Sequence, residues 1–289
     1  MDDKHSMATG GLKATVLAHG AELCSFQGHD GLEAIWQAGP PWPRHAPVLF
    51  PIIGRLANDT LRANGREYRM TQHGFARDRD FAWVYRTDTA CRLILGDDAE
   101  SRAIYPFAFR LELDYELRAG GMRTRYTVEN TGDVALPASL GAHPAFNWPL
   151  LPGVPKEAHE LVFSEDEPGP VWNVSDGVLT REPVASPIHD RHLALRGRLA
   201  TDDTTILHPP ASRSVTYGPV GRPMIRVDWD GFAELAIWSR HDADLVCIEP
   251  WLGYTSPAGF DGEFHDKPGL FTLAPGETRI ATLDISVIA

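Results

Sequence analysis

Glu249 is a carboxylate inside an otherwise apolar run, residues 246–251, with the sequence VCIEPW. Taking a carboxylate out of water is costly unless its pKa rises or a cation lies beside it. A fold keeps such a group where it needs a proton acceptor in a dry place. Proline cannot donate to a β ladder, so Pro250 predicts that the strand ends here and that a site opens at its mouth. Glu249 is therefore the first candidate for acid–base chemistry.

Other segments also hold polar side chains among apolar and turn residues. They are residues 50–58 (FPIIGRLAN), 72–78 (QHGFARD) and 141–148 (GAHPAFNW). In the last segment, Pro144 removes a backbone donor, which predicts that an apolar strand ends with the His143 imidazole at its edge. These segments add His143, Arg55 and His73 to Glu249 as candidate polar groups.

The same residues are also compatible with purely structural roles or with a metal site. A histidine at the edge of a core is commonly held by one hydrogen bond, and Arg55 could simply neutralise Glu249 in a buried ion pair. His73, His143 and Glu249 could form a metal set, although no two histidines have the short spacing of a metal motif. No GxSxG elbow marks a serine nucleophile, and Cys247 is interpreted as a packing residue. We therefore expect no metal and no cofactor.

The composition limits the partners. The 289 residues include 27 Lys plus Arg and 39 Asp plus Glu, for a formal net charge of −12. An acidic surface argues against nucleic acid or an anionic membrane as the main partner and permits a small neutral ligand. Three scattered cysteines fit a reducing compartment, and no apolar run approaches the ~20 residues of a membrane span. We expect a cytoplasmic protein without a signal peptide, and the oligomeric state stays open.

Alternating polar and apolar residues predict strands along most of the chain. Residues 109–117 and 122–128 alternate on either side of the turn 118–121 (RAGG), which predicts an antiparallel hairpin with one buried face. Acids on one strand face arginines on the other, which favours cross-strand pairs. Further strands are predicted at residues 12–16, 21–26, 234–239, 245–249 and near the C-terminus.

The predicted fold class is all-β, a large antiparallel β-sandwich with few short helices. The 26 glycines and 23 prolines leave little room for long helices. No linker divides the chain, so we expect a single domain over residues 9–289. Residues 1–8 are predicted to be a disordered or tag-derived N-terminus.

Taken together, the four segments resemble the aldose 1-epimerase family, the galactose mutarotase-like proteins. They are similar, in order, to the family's Gly-Arg-x-x-Asn stretch (54–58, GRLAN), His-Gly-Gly site (73–74, HG), Asn-His-x-Tyr-Phe-Asn segment (141–147, GAHPAFN) and C-terminal glutamate (248–250, IEP). Phe75 replaces a glycine, Ala142 replaces an asparagine and Pro144 follows the histidine. These departures resemble a divergent branch of the family.

The resemblance implies an enzyme, an aldose 1-epimerase (mutarotase) that interconverts the α and β anomers of a hexose. Glu249 would be the general base and His143 the general acid of ring opening and closure, while Arg55, His73 and Asn58 would bind the sugar. No cofactor is implied. A non-catalytic carbohydrate-binding module on the same fold remains an alternative.

A glycoside hydrolase or lyase on a similar sandwich is a second alternative. Most hydrolases need two carboxylates across the scissile bond. Asp78, Asp228 or Asp261 would have to join Glu249, and the spacing favours none of them.

The charge near His73 bears on the kind of sugar. Arg77 and Arg79 follow this histidine, but Asp78 and Asp80 alternate with them. The pattern is typical of a solvated loop in which local charges cancel. It favours a free hexose over a sugar phosphate, which would need several cations near the site mouth.

Overall fold

The computed structural model describes residues 3–175, 177–196 and 204–288. Its strands are, in chain order, β1 (Lys4–Thr9), β2 (Leu12–Leu17), β3 (Leu23–Gln27), β4 (Val48–Leu49), β5 (Thr60–Ala63), β6 (Arg66–Arg69), β7 (Ala82–Arg86), β8 (Ala90–Gly96), β9 (Arg110–Arg118), β10 (Gly121–Glu129), β11 (Leu136–Ala138), β12 (Leu140–Ala142), β13 (Ala145–Asn147), β14 (His159–Phe163), β15 (Trp172–Ser175), β16 (Val178–Leu179), β17 (His192–Ala194), β18 (Thr205–Leu207), β19 (Ser214–Pro219), β20 (Ile225–Asp230), β21 (Glu234–Ser239), β22 (Leu245–Leu252), β23 (Phe271–Leu273) and β24 (Thr278–Val287). The helical segments are the α-helix α1 (Ala99–Arg102) and 3₁₀ turns at Ala57–Asp59, Ala76–Asp78, Lys156–Ala158 and Phe264–Asp266. Within these described ranges, none of the helices has the length and apolar character needed to cross a membrane.

Two large antiparallel sheets contain most of the strands. One has nine strands in the order β17-β14-β19-β20-β24-β10-β9-β8-β7, and the other runs β16-β15-β18-β21-β22-β12-β4 with β13 also paired to β22. Smaller sheets join β1 to β2 and β3, β5 to β6, and β11 to β23. Apolar side chains of both large sheets belong to one buried cluster, so the sheets face each other across a common core. The all-β antiparallel sandwich predicted from the sequence is confirmed.

Strands β9 and β10 form the predicted hairpin. Arg118 pairs with Gly121 across the turn, and the ladder continues to the pair of Arg110 and Glu129. Every second residue of β9 is buried, as expected for a strand with one face on a core. On the other face the two end residues form an ion pair at 2.7 Å, which agrees with the predicted cross-strand pairing of acids with arginines.

The chain is described from residue 3, so the disorder predicted for residues 1–8 is wrong over residues 3–8. Lys4–Thr9 is strand β1, paired along its whole length with β2. Met7 is buried in the main core, and Asp3 accepts a hydrogen bond of 2.8 Å from the Trp83 indole. Because Met7 is the only fully buried side chain of this edge strand, the segment carries little hydrophobic periodicity for a sequence to display. Residues 1–2 lie outside the described ranges.

Strand β22 does not end at Pro250 as predicted, but continues to Leu252 with all its residues buried. The Ile248 amide donates to the Pro144 carbonyl, and amides two residues apart on a strand point to the same neighbour. The Pro250 nitrogen therefore faces the chain of β12 and β13, next to the interruption at residues 143–144. A missing donor is tolerated there because the ladder is already broken.

Candidate active site

His143 and Glu249 face each other on neighbouring chain segments. Gly141 of β12 pairs with Trp251 of β22, and Ala145 of β13 pairs with Cys247. The register therefore places His143, between β12 and β13, directly opposite Glu249. The break between β12 and β13 therefore lies at the point where His143 faces Glu249 of β22.

The two residues lie on the face of the sheet that points away from the main core. On β22, Val246 and Ile248 belong to the main core, whereas Cys247 and Trp251 belong to two separate small clusters. Glu249 is two residues away from both Cys247 and Trp251, so its side chain lies on the same face of the sheet as theirs. A pocket of about 300 Å³ opens on this face. Its lining residues are Trp42, Gly54, Gln72, His73, Arg77, His143, Val174, Gly177, Thr204, Trp238, Arg240, Glu249, Trp251 and Thr255.

The acid–base pair is in close contact but is not fully hydrogen-bonded. Nε2 of His143 lies 3.2 Å from Oε2 of Glu249. The angles fall outside those of a hydrogen bond, so Oε2 of Glu249 is buried without a partner among the described residues. Nδ1 of His143 is also buried without a partner there. Buried polar atoms left unpaired are uncommon, and here one lies on each member of the pair.

Burial favours the uncharged form of each member of the pair. Desolvation raises the pKa of Glu249 well above its ordinary value, and the nearby Trp251 indole offsets only part of this, since its N–H falls short of a hydrogen bond. Desolvation, with the positive charge of Arg77 next in size, lowers the pKa of His143 to about 3. Burial therefore favours a shared transferable proton on Glu249 over one on His143.

His73 lies beside the pair, with its ring centre 5.7 Å from that of His143 in an edge-on arrangement. Its Nδ1 accepts a hydrogen bond of 3.1 Å from the Gly54 amide, so Nε2 carries the hydrogen of the neutral ring. Burial, then the charge of Arg77, lowers its pKa well below the ordinary value and keeps it neutral. His73 thus presents an N–H donor at the pocket wall, and the Gln72 side-chain nitrogen 3.3 Å away is also a donor and cannot accept from it.

The other two sequence candidates are not among the pocket-lining residues. Arg55 is exposed, and its side chain lies against Gly177, a residue of the pocket wall, so it is placed at the rim. It lies outside ion-pairing distance of Glu249, and no lysine or arginine in the described ranges forms an ion pair with this carboxylate. The ion-pair alternative is therefore wrong. Asn58 is exposed in a 3₁₀ turn with a positive φ of 55° and is not among the pocket-lining residues, so its role in sugar binding stays a prediction.

Residues that the sequence did not single out complete the pocket. The Trp42 indole stacks on the His143 ring at 5.2 Å, and Trp238 meets that ring edge-on at 5.7 Å. Trp251 also lines the pocket. The stacked tryptophans exclude water from His143, which is the physical origin of its lowered pKa.

Cys247 adds a third potential ligand atom beside the pair. The donor atoms of His143, Cys247 and Glu249 all lie within 4.8 Å of one another. Nitrogen, sulphur and oxygen ligands of this kind suit a borderline-soft divalent ion such as Zn²⁺. The thiol is fully buried and its pKa is raised well above the ordinary value, first by desolvation and then by Glu249, so metal binding would have to displace two protons from a dry environment. The metal set considered from the sequence, with His73 in place of Cys247, has no such geometry in the described part of the chain.

Second carboxylates for hydrolysis are not found on the described pocket wall. Glu249 is the one carboxylate among the lining residues. Asp228 is held by Arg226 on the opposite sheet, Asp261 lines a separate small pocket, and Asp78 is paired with Arg44. The pairing of two carboxylates that most glycoside hydrolases use is not formed by these residues.

The large antiparallel sandwich with a buried histidine–glutamate pair in an outward-facing pocket matches one family of known proteins. The family model for aldose 1-epimerase matches residues 3–286. The chromosomal protein LacX of Lactococcus lactis subsp. lactis is 32% identical over 283 residues, which cover 93% of this chain and 94% of LacX. The chain belongs to the aldose 1-epimerase family, as its four motifs suggested.

Solved structures agree in fold over the whole length. The galactose mutarotase related enzyme from Lactobacillus acidophilus has a TM-score of 0.91 at 30% identity, covering 99% of this chain and 98% of that one. A galactose mutarotase-like protein from Lactobacillus casei ATCC 334 has a TM-score of 0.86 at 28% identity, with 99% and 100% covered. These similarities confirm the family and its β-sandwich.

Proposed function

We propose that the protein is an aldose 1-epimerase, in which His143 and Glu249 open and close the ring of a cyclic aldose. Ring opening removes the proton from the C1 hydroxyl, breaks the bond between C1 and the ring oxygen, and places a proton on that oxygen. The product is an open-chain aldehyde. Rotation about the C1–C2 bond followed by closure on the other face gives the second anomer, so atoms and protons balance without a co-reactant. One base and one acid are sufficient.

The contact of 3.2 Å between His143 and Glu249 is the observation that carries this proposal. A pair with one transferable proton in a dry pocket can exist as neutral acid and neutral imidazole, or as carboxylate and imidazolium. The second form provides the predicted base, Glu249, and the predicted acid, His143. Sugar hydroxyls hydrogen-bonded to the unpartnered atoms of the pair would favour this charged form, and return of the proton would complete closure.

The surrounding groups have supporting roles. The Nε2–H of His73 is available to a sugar oxygen, and Arg55 at the rim can reach a hydroxyl at the pocket mouth. Trp42 and Trp251 offer apolar surfaces to the ring faces of a sugar. Holding the ring in one orientation while C1 turns reduces the entropy cost of the reaction. The metal-type cluster around Cys247 has no step in this mechanism.

Glu249→Gln and His143→Ala each test the acid–base roles. We expect each change to lower the enzymatic anomerisation rate by about 10² to 10⁴, the usual contribution of one acid or base. Polarimetry on freshly dissolved α-anomers, corrected for spontaneous mutarotation, measures this rate. Treatment with a chelator should leave the wild-type rate unchanged.

The pair of His208 and Glu234 provides a matched control. Its nitrogen and oxygen lie 3.1 Å apart, but neither residue lines the pocket. His208→Ala should retain the wild-type rate. Rates close to wild type in both Glu249→Gln and His143→Ala would rule out these catalytic roles. A melting temperature raised by sugars without any acceleration of anomerisation would instead identify a carbohydrate-binding module.

A further inference from the structure

The pocket contains a positive charge that the anomerisation chemistry does not use. Arg77 and Arg240 line it, whereas Glu249 is the only acid among its described lining residues and favours its neutral form. Asp242 accepts from Arg240 and neutralises it. Arg77 is therefore the group whose charge must be accounted for, particularly in a chain with a net charge of −12.

The Arg77 guanidinium is mostly buried and its hydrogen-bonding capacity is not filled. The side chain is 16% exposed, and Nη2 donates to the Gln72 carbonyl at 2.6 Å. Nε is buried without a hydrogen bond, and Nη1 has none within the described ranges although it is not sealed from solvent. A buried guanidinium with unfilled donors is costly. A purely structural role explains the position of Nη2, which is hydrogen-bonded to Gln72. It does not explain the other two guanidinium nitrogens, which have no hydrogen bond to the described residues.

The neighbouring acids leave the free donors of Arg77 unfilled. Asp78 makes its short contact, 2.8 Å, with Arg44, and its carboxylate lies 3.7 Å from Nε of Arg77, too far for a hydrogen bond. Glu22 also acts on the charge of Arg77, but one of its carboxylate oxygens accepts from the backbone amides of His45 and Ala46. The loop expected to be solvated therefore has one arginine at the pocket wall, whereas Asp78 and Asp80 are exposed.

This charge acts on the same space as the acid–base pair. Arg77 is the largest electrostatic influence on the pKa of both His73 and His143, and it lowers both. An anion on the substrate would fill the free donors of Arg77. A single pocket would then hold the anion at one end of the sugar and C1 at the other.

We propose that the substrate is an aldose that carries an anionic group away from C1, and that Arg77 binds this group. A phosphate ester and a carboxylate share the required chemistry, since both accept hydrogen bonds from a guanidinium. The proposal rests on the proposed function, because it names the substrate class of the same site. It replaces the neutral hexose expected from the sequence.

The test compares a set of α-anomers by exchange NMR. Glucose and galactose are the neutral substrates, their 6-phosphates carry a phosphate, and glucuronate carries a carboxylate. We expect kcat/KM to be at least tenfold higher for one of the anionic classes than for the neutral sugars, and the two anionic arms tell phosphate from carboxylate. Arg77→Gln should reduce the ratio of anionic to neutral kcat/KM to about one, mainly through KM, and Arg77→Lys should restore part of it.

Arg79→Gln is the matched control. Arg79 is two residues away, is paired with Glu100 at 2.6 Å and does not line the pocket, so its loss should leave the ratio unchanged. Equal kcat/KM for neutral and anionic sugars in the wild type would overturn the anion site while leaving the epimerase function intact. An equal loss on all sugars in Arg77→Gln would also overturn it, because the role would then be structural. Failure to anomerise any sugar would instead contradict the proposed function.

Discussion

At the scale of single residues, the site is built on two groups that burial holds in their neutral forms. Glu249 and His143 are both almost fully buried, and their pKa values are moved in opposite directions by the same cause, loss of water. An acid and a base poised in this way are typical of catalytic pairs. The arrangement has a thermodynamic consequence, because a carboxyl group with a raised pKa in the folded state makes stability depend on pH.

Glu249→Gln should therefore stabilise the protein at neutral and alkaline pH. Above the ordinary pKa of 4.5 the unfolded chain loses the Glu249 proton, whereas the folded protein keeps it until its raised pKa is reached. In this window the folded state binds more protons, so the free energy of unfolding falls as pH rises, by at most about 1.4 kcal/mol per pH unit. Glutamine imitates the neutral acid and removes this slope.

Urea unfolding of both proteins between about pH 5 and pH 8 measures the effect. We expect the difference in unfolding free energy to grow with pH in favour of Glu249→Gln. His143 acts in the opposite direction, because its lowered pKa reduces stability as pH falls from 6.5 towards about 3, and both proteins retain it. A difference that does not vary with pH would mean that Glu249 is ionised in the folded protein.

The sequence indicated which residue types could carry the chemistry, but it did not show which charges surround them. Arg77 was expected to be neutralised by the aspartates that alternate with it. In the structure Asp78 turns to Arg44 and Asp80 to His19, each at 2.8 Å. These partners are distant in the chain, so no local sequence pattern predicts them. Asn58 was placed in the site by its motif, and its exposed turn outside the pocket lining has no local sequence signal.

At the scale of elements, His73 depends on a loop with an unusual backbone. His73 and Gly74 both have positive φ values, 66° and 73°. The Gly74 backbone also lies against Phe50, where an added Cβ would come within 2.2 Å of the carbonyl oxygen. Two hydrogen bonds with Gly54 hold His73 in this loop. The His73 amide donates to the Gly54 carbonyl, and the Gly54 amide donates to Nδ1 of the His73 ring. The left-handed backbone and the close contact with Phe50 both favour glycine at position 74.

Gly74→Ala should lower both stability and activity, and Gly65→Ala is its matched control. Gly65 has a similar φ of 70° but nothing within 4 Å of an added Cβ. Its replacement should cost only the left-handed conformation, about 1–2 kcal/mol. Gly74→Ala should cost more, because the Phe50 backbone must move as well, and the anomerisation rate should fall with the displacement of His73.

Urea unfolding and polarimetry on the two variants separate these effects. Equal losses of stability in Gly74→Ala and Gly65→Ala would show that the backbone near position 74 moves to fit the added methyl group at no further cost. A Gly74→Ala protein with full activity would show that the orientation of His73 is not needed for the reaction.

The elements themselves were predictable to different degrees. The hairpin of β9 and β10 follows from strict alternation around a glycine turn, and it was found as expected. The interruption between β12 and β13 could not be predicted, because Pro144 and Pro250 each look like the end of a strand when considered alone. Only the register between the two chains shows that the prolines lie side by side and place His143 opposite Glu249.

At the scale of the whole molecule, the two ends of the chain have very different places in the sandwich. Strand β24 lies between β20 and β10 in the middle of the nine-stranded sheet, and it pairs with both over most of its length. Strand β1 lies at the edge of a three-stranded sheet and pairs only with β2. The sequence predicted a buried strand at the C-terminus, but it could not show that this strand joins the two halves of a sheet. That position depends on contacts across more than half of the chain.

Deleting the residues from 278 onwards should therefore abolish folding, whereas deleting residues 1–9 should only weaken it. Loss of β24 exposes the inner edges of β20 and β10 and removes the buried Ala281, Leu283 and Ile285 from the core. Loss of β1 removes one edge strand and the buried Met7, whose side chain alone is worth about 2–5 kcal/mol. Near-ultraviolet circular dichroism and thermal unfolding distinguish the outcomes: we expect no cooperative transition without β24, and a cooperative transition at a lower temperature without β1. A cooperative transition in the C-terminal deletion would mean that the halves of the nine-stranded sheet fold independently, and that the sandwich is not one cooperative unit.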